Sequence, residues 1–138
     1  VHSDQRARRF AWLVERVYEE HGLSAEFMVA LANRLVASEM PGIREAGVEV
    51  GFLARFDQGF ALRMLGDPAP AVRTAVADRL ERVEEPDRDS ALAIIRGHFA
   101  TERHRTVIAT MHHCLGSLIR ESGRRVQTLA PPAAGEDN

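Results

Sequence analysis

Gly66-Asp67-Pro68-Ala69-Pro70-Ala71-Val72-Arg73-Thr74-Ala75-Val76-Ala77-Asp78-Arg79-Leu80 reads as a turn that opens directly into a helix. Gly66, Asp67 and Pro68 punctuate the chain. Val72, Val76, Leu80 and Val83 then recur at i, i+4, i+8 and i+11, which is one face of a 3.6-residue period. Asp67 lies just before the helix, where a side-chain oxygen can meet free amide N–H groups. Pro68 sits near the first turn, where a missing N–H costs little.

The same logic divides the rest of the chain. Further punctuation falls at Gly22, Met40-Pro41-Gly42, Glu85-Pro86 and Ala100-Thr101, and apolar stripes at helical spacing lie between. They are Phe10, Leu13, Val14 and Val17; Phe27, Leu31 and Leu35; Leu92, Ile95 and Phe99; and Val107, Met111, Leu115 and Leu118. Helices are expected near 4–21, 24–38, 42–56, 58–65, 69–84, 87–99 and 102–121, with Ser24, Asp57, Asp67 and Asp87 at or just before helix starts and Pro86 near a first turn. No segment alternates with period two, so no strand is expected. The helix at 42–56 is apolar on two sides: Ile43, Gly47, Val50 and Ala54 share one, and Val48, Phe52 and Phe56 the other. Such a helix must be covered from two directions, which calls for two layers.

The turn followed by a Val-Arg pair recurs. Met40-Pro41-Gly42-Ile43-Arg44-Glu45-Ala46-Gly47 repeats it, and Thr101-Glu102-Arg103-His104-Arg105-Thr106-Val107 carries a weaker copy, with spacings of 29 from Arg44 to Arg73 and 32 from Arg73 to Arg105. On these residues the chain resembles the HEAT-repeat family, in the short-period form familiar in bacteria and related to phycobilisome lyases. The resemblance covers residues 24–121. It implies an all-α protein, a right-handed α-solenoid of about three stacked helical hairpins (24–56, 57–84 and 86–121) behind an N-terminal half-unit at 4–21. Small residues such as Ala46, Gly47, Ala75 and Ala109 are expected where helices approach closely. In the family the turn Asp and the Arg six positions on bond between adjacent repeats. Asp67 and Arg73 match that pair, and Arg44 and Arg105 are their counterparts beside the acids Glu39 and Glu102. The domain is placed at 1–126 and a disordered Pro/Ala-rich tail at 127–138.

Composition agrees with one helical domain. The chain has 138 residues, 45% apolar and only 6% aromatic, enough to bury a core without staples. All 18 basic residues are Arg, which reads as the codon bias of a GC-rich bacterial genome rather than selection for anion binding. Net charge is −2, and neither half carries the basic excess usual for a nucleic-acid binder. The lone Cys114 fits a reducing cytoplasm; no apolar run approaches a membrane span and no signal core is present. A chain opening on Val1 reads either as a GTG start or as a piece of a longer solenoid.

No catalytic constellation stands out, so an enzyme is not expected, nor a cofactor. His98, His104, His112, His113 and Cys114 invite a metal, yet His104 and His112 are about 12 Å apart along a helix and the histidines do not share a face, so none is expected. The run Glu81, Glu84, Glu85, Asp87 and Asp89 reads as a solvated turn. Trp12 lies off its own helix's stripe, beside Arg8, Arg9 and Arg16. It reads as a binding hot spot, as the unpacked end of a repeat array, or as packing against the second helix. The expectation is an interaction module for another protein, perceived through an acidic or extended segment, with Trp12, Arg8, Arg16, Arg79, Arg82 and His112 as contact residues. A resemblance to HEAT-like alkylpurine DNA glycosylases implies the alternative of nucleic-acid binding, with Arg103, Arg105, Arg120, Arg124 and Arg125 at phosphate. An accessory, lyase-like chaperone is the third reading.

Overall fold

A computed structural model describes residues 2–129, with side chains over 5–124. The described residues form seven α-helices and no strand: α1 (His2–His21), α2 (Ala25–Val36), α3 (Pro41–Ala54), α4 (Gln58–Leu65), α5 (Pro70–Glu81), α6 (Arg88–Phe99) and α7 (Arg105–Leu129). The local chemistry explains most boundaries. Ser24 accepts from the Phe27 amide at 3.1 Å and Asp57 from the Phe60 amide at 3.0 Å, each capping its helix. Pro41 and Pro70 open α3 and α5. Asp87 occupies the N-cap position of α6 without a capping side-chain bond, and Asp67 lies three residues before α5. The helix α7 continues to Leu129, so the boundary expected at 126 falls inside it. The remaining tail residues, 130–138, lie outside the described residues.

The helices α1, α3, α5 and α7 pack each on the next, while α2 rests on α3, α4 on α5 and α6, and α6 on α5 and α7. Two rows result, and α3 is covered from two directions as its two apolar faces demand. Val48, Phe52 and Phe56 join the main core with Val72, Val76, Leu80, Ile95, Val107, Met111 and Leu118. Val50 and Ala54 instead join Val14, Met28 and Ala32. Gly47 makes the α2–α3 contact possible: a Cβ there would stand 2.7 Å from Val36 Cγ1 and 2.9 Å from the Val36 backbone nitrogen.

Two expected stripes are corrected. The helix α1 buries Ala7, Ala11 and Val14, leaving Phe10 41%, Leu13 53% and Val17 39% exposed. Ala7 and Ala11 seat on Ala46 and Ile43 of α3, a small-on-small contact that brings the two helices together. The bulky stripe would need a neighbour on another side, and no described helix supplies one. In α2 the buried residues are Met28 and Ala32, while Phe27 faces solvent. Ala109, expected at a close approach, is exposed as well. No helix among the described residues is long and apolar enough to cross a membrane.

Candidate functional site

Two ionic rungs fix the row of helices. Arg44 donates from Nε to Asp67 Oδ2 at 2.8 Å and from Nη2 to Oδ1 at 3.0 Å. Its Nη1 reaches the Ser38 carbonyl, six residues back, at 3.1 Å, and the Glu39 carbonyl at 2.9 Å. Asp67 Oδ1 also accepts from the Ala69 amide. Arg73 repeats the fork and the bond six residues back. It donates from Nε and Nη2 to Glu102 at 2.8 and 3.0 Å, and from Nη1 to the Asp67 carbonyl, again six residues back. Glu102 accepts from the His104 amide, two residues on, as Asp67 does from Ala69. Each Arg therefore forks onto the acid of the following copy. Within one copy, Asp67 and Arg73 meet only through the Asp67 main-chain carbonyl. Glu39 contributes a carbonyl rather than a carboxylate, and Arg105 is exposed and forms no rung among the described residues.

The electrostatics follow from this geometry. Burial opposes charge on Asp67, but the Arg44 fork, the Ala69 amide and the charge of Arg73 outweigh it and hold the carboxyl below its usual range. The Arg73 fork holds Glu102 far below that range, against burial, with help from the His104 amide and His98. Both guanidinium groups are correspondingly harder to deprotonate. These are structural pairs, tied up and largely buried.

The open side of the α1–α3–α5–α7 row is different. A hollow of about 390 Å³ there is lined by Arg8, Glu45, Glu49, Thr74, Asp78 and Thr106, among others. Its lining follows the repeat. Residues one and five positions after each recurring Arg are Glu45 and Glu49, Thr74 and Asp78, and Thr106 and Thr110; all but Thr110 line it. Residues eight positions after are Phe52, Glu81 and His113. Counting from the Arg would have located this face in the sequence; taken singly, Glu45, Glu49 and Asp78 look like ordinary surface acids. Burial raises the Asp78 carboxyl, and the charges of Glu81 and Glu49 add to the rise while Arg82 opposes it.

The expected contact residues do not form one site. Arg8 lies in the hollow, and Trp12, 57% exposed, follows one turn later on the same side of α1. Arg16 stacks over the Trp12 ring at 5.6 Å and bonds Glu20 at 2.6 Å. Trp12 thus does not pack against the second helix. Arg79 is bound to Glu49 and holds α5 to α3. Arg79 and Arg82 together line a second hollow, with Phe52, Phe56 and Glu84, and His112 is exposed on α7 and lines neither.

The histidines do not converge. His98 bonds Glu102 at 2.9 Å, and His113 lies 3.6 Å from Glu81. Potential ligand atoms of Asp78, Glu81 and Cys114 do fall within 4.8 Å of one another. Cys114 is fully buried, however, and its thiol donates to Glu81 at 3.5 Å. Burial, reinforced by Glu81, pushes that thiol up to about 12, so it persists as a neutral donor. In comparisons with known proteins, the chain matches no family model, no curated protein and no solved structure.

Proposed function

We propose that the chain is a non-enzymatic protein-interaction module, a short right-handed HEAT-like solenoid of three hairpins behind α1, whose row of second helices receives an extended basic segment of another protein. The observation that carries the reading is the acidic lining of that face, Glu45 and Glu49 from α3 and Asp78 from α5, of which Glu49 and Asp78 stand at equivalent positions, with Trp12 exposed at its α1 end. Identical Arg forks in successive copies support the stacked-repeat architecture. Asp78, whose carboxyl is raised by burial and by Glu81 and Glu49 against the charge of Arg82, gains from an incoming guanidinium or ammonium group, and the Trp12 ring already attracts one cation, Arg16. Arg79 and Glu49 neutralise one another, so the polarity proposed for the partner is set by Asp78 and the acids beside it, the reverse of that expected from the sequence. The acids of this face make it a poor site for phosphate.

Trp12 is the sole tryptophan, so its fluorescence reports binding directly. Titration with an extended Arg-rich peptide should shift or quench the emission. Glu45→Gln combined with Asp78→Asn should weaken binding by roughly tenfold, the scale of one lost charge-assisted contact. A Glu-rich peptide or duplex DNA that binds as tightly as the Arg-rich peptide would sink the reading.

A further inference from the structure

The helix α1 carries a second surface, on the flank away from Arg8 and Trp12. Arg6, Phe10, Leu13, Val17 and Glu20 follow one another at spacings of four, three, four and three residues. That is the spacing of a coiled-coil seam, in which side chains of one helix enter gaps on another. The three apolar members are the 39–53% exposed residues left uncovered when α1 settled on Ala46. The other three helices of the row each pack on a partner from the second row: α2 on α3, α4 on α5 and α6 on α7. The helix α1 packs chiefly on α3.

We propose that this seam is a homodimer interface, occupied by α1 of a second copy running antiparallel. Charge selects that occupant. The seam is basic at its N-terminal end, where Arg6 stands with Arg9 on its margin, and acidic at its C-terminal end, at Glu20. Antiparallel pairing brings Arg6 of each copy within reach of Glu20 of the other, twice by symmetry, around a centre of Phe10, Leu13 and Val17. Parallel pairing would set Arg6 against Arg6 and Glu20 against Glu20. The Arg16–Glu20 pair is about half exposed and screened by water, whereas the Arg6–Glu20 cross-pairs would flank an apolar seam that sheds water on pairing. Four helical turns bury less than the roughly 1,200 Å² of a standard interface, so the dimer is a weak, concentration-dependent one.

Sedimentation equilibrium of the whole chain over roughly 5–500 μM, the range in which such small interfaces dissociate, tests this. The native chain should pass from monomer to dimer. Leu13→Glu, at an exposed position that leaves the helical circular dichroism unchanged, should abolish dimerisation in that range. Arg6→Glu and Glu20→Arg should each remain monomeric alone and form a heterodimer when mixed, because only the mixture restores both cross-pairs. A native chain that stays monomeric, a Leu13→Glu chain that dimerises, or a mixture that fails to associate each overturns the proposal. The peptide-binding face lies on the other flank of α1, so Leu13→Glu should leave the Trp12 titration unaltered whatever the dimer does.

Discussion

At the residue scale the two Arg forks make the clearest energetic statement. Glu102 keeps a side chain only 3% exposed, and its charge is compensated by Arg73, His98 and main-chain amides. Removing the cation alone strands that charge. Arg73→Ala should therefore cost about 3 kcal/mol in urea unfolding, whereas replacing both partners by apolar residues of similar volume should cost much less than the sum of the single changes. The acids of both rungs have lowered pKa values in the folded chain. A lowered carboxyl contributes stability above its unfolded pKa, and that contribution is lost as pH falls through the folded value. The native chain should thus lose stability progressively below about pH 5, and Glu102→Gln should flatten that limb. Asp78 runs the other way: its raised carboxyl favours the fold at low pH and opposes it as pH rises. An acid that destabilises its own surface at neutral pH is consistent with one kept for a partner.

At the element scale the glycines separate packing from propensity. Gly47→Ala forces a Cβ against α2 backbone at 2.9 Å, which no side-chain rotation relieves, and should destabilise by about 2 kcal/mol. Gly97 lies within α6 with open space around its missing Cβ, so Gly97→Ala should stabilise by about 0.5–1 kcal/mol. Opposite shifts in thermal midpoint would confirm both, and equal shifts would refute the packing argument for Gly47. The elements themselves were legible: Ser24 and Asp57 cap where their positions suggested, and Val72, Val76, Leu80 and Val83 are buried together. What escaped was rotation about a helix axis. In α1 the bulky stripe and the small one lie side by side, and only the close approach of Ala46 decides that Ala7 and Ala11 go inward. The groove escaped for a related reason. Its acids are unremarkable in local sequence, and they become a face only when three helices are brought into register.

Across the whole molecule, connectivity predicts where the chain opens first. The helix α5 touches α3, α4, α6 and α7 and carries Arg73 and Arg79, whereas α1 packs chiefly on α3. Local opening follows the contacts that must be broken, so amide hydrogen exchange should be slowest in α5 and fastest in α1. The rungs make a sharper test of how far a disturbance travels. Arg44–Asp67 ties α3 to the turn before α5, and Arg73–Glu102 ties α5 to the turn before α7. In a stack where each copy meets only its neighbours, Arg73→Ala should accelerate exchange in α6 and α7 while leaving α2 and the first half of α3 nearly unchanged. Uniform acceleration over all seven helices would mean that the main core, which runs from Val48 to Leu118, opens as one unit and that the repeats are a pattern of sequence without energetic independence. Between these outcomes, protection in α1 that rises with protein concentration would add the stabilisation expected of a helix covered by its second copy.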